Sequence, residues 1–95
     1  MKENEISIEN YINAKDDIMD QIDDLILELI KQRKKIGITQ TQLSTRTGIP
    51  QATISRIESF SSIPTLQVIL KISNALNMKL VFKKAGITYE NRYKQ

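Results

Sequence analysis

The sequence predicts an all-α fold, a compact bundle of four to five helices with an N-terminal helical arm and one short C-terminal strand. Three observations carry that expectation. Apolar residues recur at spacings of three and four through the first third of the chain, which is helical periodicity. Beyond Gly37 the helical segments become short and closely spaced, and after Asn77 the apolar period drops to two, the mark of a strand. With 95 residues there is room for one modest core, so whatever lies outside it is a short arm.

The first run contains Ile8, Tyr11, Ile12, Ile18, Met19, Ile22, Leu25, Ile26, Leu29 and Ile30. Ser7 is placed to cap its start, and Gly37 ends it after Lys31, Arg33, Lys34 and Lys35, a cluster suited to the negative end of a helix dipole. A break at residues 13–17 is expected to divide this run into a short arm helix and a longer one. Next, Thr39 followed three residues later by Gln42 has the form of a capping box, so a helix begins at Gln40. Leu43 and Thr47 share one face with the small Ser44 beside them, and Gly48 supplies a terminator able to adopt positive φ.

Pro50 sits where a further helix starts, and that helix continues to about Glu58 through Ile54 and Ile57. The serine-rich residues 59–64 read as a loop. Pro64 or Thr65 opens the last helix, whose Leu66, Ile69, Ile72 and Leu76 form an apolar stripe that closes over the preceding pair. Met78, Leu80 and Phe82 then alternate with Lys79, Val81 and Lys83. A strand here has no partner in the chain, so Leu80, Val81 and Phe82 are expected to pair with their copies in a second subunit rather than fray. The division expected is an acidic helical arm at 1–21, a main domain at 22–77, a dimerisation strand at 78–84 and a flexible tail at 85–95.

Composition removes several function classes. Cysteine and histidine are both absent, which leaves no disulfide, thiol chemistry or zinc site and fits a reducing cytoplasm. No cofactor or metal is expected. The longest apolar stretches, at 25–30 and 80–82, are far too short to span a membrane, and the acidic N-terminus does not resemble a signal peptide. An enzyme is not expected, because the carboxylates concentrate on a helical arm without a histidine, a cysteine or a glycine-rich phosphate loop.

The net charge of +3 conceals a division into two parts of opposite sign. Residues 1–30 hold two basic and nine acidic side chains, a net of −7, while residues 31–95 hold twelve basic side chains against Glu58 and Glu90, a net of +10. A basic body is the electrostatic footprint of a nucleic-acid binder, whereas an acidic arm is repelled by phosphate and suits another partner. Charge alone is equally compatible with two solvated surfaces.

Residues 51–58 sharpen the choice. At about 100° per residue, Ile54 and Ile57 point to one side of the helix, and Gln51, Ala52, Ser55 and Arg56 fall on the other. That second face is small and polar and holds no acid. The major groove of DNA admits one helix, and its base edges pair an amide with adenine, a guanidinium with guanine and a methyl group with thymine. Gln51, Arg56 and Ala52 supply those three chemistries. Gln40 and Thr53 are candidate phosphate donors, with Lys34, Lys35 and Arg46 as outlying charges.

The stretch GITQTQLSTRTGIPQATISRIESFSSIPTLQVILKISNAL at 37–76 closely resembles the phage repressor and Cro-like (XRE) helix-turn-helix family. The twenty-residue motif starting at Gln40 has Leu43, a small Ser44, the turn Gly48, Ile54 and Ile57 in register. The resemblance implies that Gln40 holds a phosphate and buttresses Gln51, and that Gln51, Ala52, Ser55 and Arg56 read bases in double-stranded operator DNA. It also implies a structural ion pair between Arg33 and Glu58. Two departures stand out. Phe60 occupies a place where the family usually has glycine, so the loop is expected to follow another path, and Pro50 replaces the commoner Ser or Thr, which removes a capping hydroxyl.

The flanks are similar in layout to HigA-type antitoxins, with an acidic helical arm before the first helix and the strand-like KLVFK at 79–83 after the last. That likeness implies a homodimer that represses its own operon and neutralises a basic ribonuclease toxin bound through the acidic arm. A free-standing regulator without a toxin, and an interaction module that does not bind DNA, remain open alternatives at this point.

Overall fold

The computed structural model describes residues 8–84, with side chains from residue 17 onward. Four helices follow one another: α1 (Ile8–Ile36), α2 (Gln40–Thr47), α3 (Gln51–Glu58) and α4 (Leu66–Ala75). The expected break at 13–17 is absent, and α1 runs through it as one helix of 29 residues. Asn and Asp lower helix propensity by only a few tenths of a kcal/mol each, up to about 0.7, and the segment contains neither the proline nor the glycine that interrupts a helix. Ser7 and the tail at 85–95 lie outside the described residues.

Several helix ends are closed by local hydrogen bonds that the sequence announces with varying clarity. Thr39 and Gln42 form a reciprocal capping box, the Thr39 N–H donating to Gln42 Oε1 at 2.9 Å and the Gln42 N–H to Thr39 Oγ1 at 3.0 Å. The α4 start is capped by Thr65, whose Oγ1 accepts from the Val68 N–H at 3.2 Å. At the C-terminal ends, Gly37 and Gly48 take φ of 88° and 77°, the left-handed conformation that glycine adopts without steric cost.

α3 closes in the same way without glycine. Phe60 has φ 62°, the Phe60 N–H donates to the Ile57 carbonyl at 3.0 Å, and the Ser61 N–H to the Arg56 carbonyl at 2.8 Å. This pair of bonds is a Schellman motif. The turn after α3 thus has the left-handed conformation that glycine adopts most readily, and two hydrogen bonds hold Phe60 in it. Asn77, with φ 59°, ends α4 by the same pattern through the Met78 N–H and the Ser73 carbonyl at 2.8 Å.

The core lies between these helices and consists of Ile26, Leu29, Ile38, Leu43, Ile49, Ile54, Ile57, Ile69, Ile72 and Leu76. α2 packs on α3 and α4, and α1 on α3. Fully burying an aliphatic side chain of this size contributes about 1.5–3 kcal/mol, so Ile26, Leu43, Ile54 and Leu76, the most completely buried, are the principal anchors. Leu66 departs from the expected stripe and is 62% exposed. It begins α4, one turn before the part of the helix that contacts the core; Ser73 is buried in the core stripe instead, with its Oγ donating to the Ile69 carbonyl at 2.8 Å.

Among the described residues there is no strand, and 78–84 are irregular. A ladder needs a partner, and the described residues contain none. No described helix is long and apolar enough to cross a membrane.

Candidate nucleic-acid interface

α3 is seated by two isoleucines and tied down at its last residue. Ile54 and Ile57 are 1% and 3% exposed, whereas Gln51, Ala52, Ser55 and Arg56 all face solvent and Thr53 is half-buried. The exposed face thus carries an amide, a methyl group, a hydroxyl and a guanidinium, with no carboxylate among them.

At the other end, Glu58 collects three helices. Arg33, buried on α1, donates from Nε to Glu58 Oε2 at 2.7 Å and from Nη2 to Oε1 at 2.8 Å, and its Nη1 donates to the Ile38 carbonyl at 2.7 Å. Gln40 Nε2, on the first residue of α2, adds a 3.0 Å bond to Glu58 Oε1. Burial alone would raise the Glu58 pKa; hydrogen bonds from Arg33 and Gln40, with the positive charges of Arg33 and Lys34, outweigh it and hold the carboxyl below its ordinary value. Every buried side-chain nitrogen and oxygen among the described residues has a partner.

The Gln40 side chain is therefore turned toward Glu58 and not toward Gln51, the partner the family resemblance implies for it. An ionised carboxylate is the stronger acceptor.

The turn that sets α3 against α2 is stapled by two hydroxyls. Ser44 Oγ donates to the Ile49 carbonyl, Thr47 Oγ1 donates to the Leu43 carbonyl at 2.8 Å, and the Ile49 N–H donates back to Thr47 Oγ1 at 3.1 Å. Between them sits Gly48, whose N–H closes α2 on the Ser44 carbonyl at 2.8 Å. Ser44 reads in sequence as merely small. The signal for its second role is the Ser and Thr placed three residues apart ahead of a glycine, where side-chain to backbone bonds commonly organise a turn. Pro50 gives α3 no side-chain cap; its carbonyl accepts from the N–H groups of Thr53 and Ile54 at 3.0 and 3.2 Å.

The outlying charges divide. Lys34 and Lys35 lie exposed in the last turn of α1, with Lys34 close enough to Glu58 to act on its charge. Arg46 lines a shallow recess with Thr47, Lys71, Asn74 and Ala75, so it is grouped with α4 and not with the exposed face of α3. Among the described residues no group of three or more acidic side chains is placed to hold a metal ion. What the arrangement offers is a rigid helix with an acid-free polar face, mounted on a body whose one acid between residues 31 and 84 is engaged internally.

A family model described as Helix-turn-helix matches residues 29–88. Over 56 residues the chain is 43% identical to a Haemophilus influenzae protein named as an uncharacterized HTH-type transcriptional regulator. That alignment covers 59% of this chain and 57% of the relative, so the chain matches little more than half of the relative's length. No solved structure matches.

Proposed function

The chain belongs to the helix-turn-helix family, and from that premise we propose that it is a sequence-specific DNA-binding regulator of transcription, acting as a repressor. The observation that carries this reading is the exposed face of α3, free of acid and pinned from behind by Ile54 and Ile57. In this reading Gln51 pairs with adenine, Arg56 with guanine and Ala52 with a thymine methyl, while Ser55 completes the set. Gln40, Thr53, Lys34, Lys35 and Arg46 serve the phosphates. Residues 22–77 form the DNA-binding unit. A homodimer joined through 78–84 meets half-sites about 34 Å apart, so its operator is roughly palindromic. The name of the Haemophilus relative supports the reading.

Affinity for DNA from the upstream region, measured against salt, tests it. Each phosphate contact contributes about −0.9 to the slope of log affinity against log salt. A flat response would show an interaction module that does not bind DNA.

The finer reading is an antitoxin that binds a basic ribonuclease toxin through its acidic arm and represses its own operon. Its support is the charge of −7 on residues 1–30. Asp17, Asp20 and Asp24 are exposed along α1, where a basic surface can meet them. Co-expression with the product of an adjacent reading frame, using a variant in which Asp17, Asp20 and Asp24 are replaced by Lys, checks it: undiminished co-purification ends the antitoxin proposal and leaves the DNA-binding one in place.

A further inference from the structure

A shallow apolar groove runs between α1 and α4. One end is a recess of about 220 Å³ lined by Ile22, Leu25, Ile63, Pro64, Leu66 and Ile69. The other, of about 210 Å³, is lined chiefly by Leu25, Leu29, Ile69, Met78, Leu80 and Val81, with Glu28 and Lys79 beside them. Leu25 and Ile69 line both, so the two recesses lie side by side with those side chains as a common wall. None of the residues on the exposed face of α3 takes part.

The apolar side chains around this groove are poorly covered. Ile18, one turn ahead of Ile22 on α1, and Ile63, Leu66 and Val81 are each more than half exposed, and Phe82 is 96% exposed. Together they offer several hundred square ångströms, approaching the roughly 800 Å² per partner of a stable interface. Large exposed apolar side chains gathered around a recess commonly mark an interaction surface.

Two features identify the occupant. Phe82 follows directly on Val81, which lines the recess, yet its own ring stands in water. A knob next to a hole it does not fill is self-complementary: a two-fold axis seats each ring in the other copy's recess at once. The charges are compatible: Glu28 and Lys79 line the same recess, Glu28 lies 3.5 Å from Lys31 on its own helix, and a two-fold copy can set Lys79 of one chain against Glu28 of the other.

We propose that this groove is the face on which two copies of the chain associate, with Phe82 of each seated against Leu25, Ile69 and Leu80 of the other. The proposal rests on the homodimer of the preceding reading and assigns its contact to side-chain packing across α1 and α4, not to a ladder between two strands alone.

Sedimentation velocity of the full chain over a concentration series, without DNA, tests it. The expected result is a reversible dimer, with self-association weakened at least tenfold by Leu66→Glu and by Phe82→Ser while the helical circular dichroism is unchanged. A monomer at 100-fold dilution and at the highest soluble concentration alike would overturn the proposal. So would a dimer indifferent to Leu66→Glu, which would leave strand pairing as its basis. Because the chain contains no tryptophan, Phe82→Trp provides a second reading that survives a folding defect in the other variants. Its emission should shift to the blue as concentration rises, and an emission that stays at its fully solvated wavelength in the dimer would overturn the placement of the ring. Self-association is read apart from DNA binding, so failure of the regulatory reading would be seen separately.

Discussion

Arg33 and Glu58, twenty-five residues apart in the chain, meet through two parallel hydrogen bonds of 2.7 and 2.8 Å. The bond from Gln40 to the same carboxylate brings α1, the start of α2 and the end of α3 to one point. Two isoleucines press α3 inward, but an apolar contact tolerates rotation. The bidentate pair does not, because two donors and two acceptors must stay in register. The orientation of the exposed face of α3 is thus set at the end of the helix remote from Gln51.

Removing Arg33 should be costly. Arg33→Ala leaves Glu58 enclosed without its main partner, and breaking a buried pair in this way costs about 3 kcal/mol. Urea denaturation would show the lowered midpoint. Replacing both residues by aliphatic ones of similar volume should cost less than Arg33→Ala alone, and an equal loss would mean that packing of the arginine stem dominates.

Acid should weaken the same contact in a defined window. The folded-state pKa of Glu58 is lowered, so its contribution to stability is present above the unfolded carboxylate value of about 4.3 and is lost as pH falls through the lower folded value. The stability difference between the protein and Glu58→Gln, read from melts between neutral and acid pH, should therefore be constant above the unfolded value of about 4.3 and shrink below it. Carboxylates common to both proteins cancel in the comparison.

Phe60 holds a left-handed conformation that costs a side-chain-bearing residue about 1–2 kcal/mol, and it is 45% exposed. Phe60→Gly should stabilise the fold by roughly 1 kcal/mol after the added freedom of the unfolded chain is deducted. An increase in melting temperature checks this, and a decrease would show that the ring's packing exceeds the backbone strain.

On the proposed operator, Arg56→Ala should cost about 1–3 kcal/mol and relax the preference at one base pair. Selection from a randomised DNA library would reveal the relaxed position. Lys35→Ala should instead weaken all sequences alike and reduce the salt slope by about 1. An unchanged sequence preference in the Arg56 variant would remove that residue from base reading.

The α2 and α3 boundaries were legible because each is marked by a residue with one strong local role: Thr39 with Gln42, Gly48 and Pro50. Residues 13–17 misled because Asn and Asp favour caps and turns without forbidding a helix. Leu66 fits the spacing of the α4 stripe, but spacing cannot say where along a helix the neighbouring elements stop. Ile38 and Ile49 are buried from within turns, where no period exists to reveal them. The path at Phe60 was hidden for a different reason: positive φ is written in hydrogen bonds between Arg56, Ile57, Phe60 and Ser61, and not in the identity of the side chain. For the exposed α3 face, the pattern of residues 51–58 was sufficient, whereas the roles of Gln40, Ser44 and Thr47 required coordinates.

The enclosure of Glu58 also has a kinetic consequence. It is the only acid between residues 31 and 84, and its charge closes on Arg33 over less than 3 Å. At the range of a Debye length such a pair is a small dipole, and the field of this part of the chain is governed by cations of one sign. A polyanion would be drawn in before any side chain touches it, with an association rate that falls steeply as ionic strength rises. The dissociation rate, set by contacts already made, should respond far less.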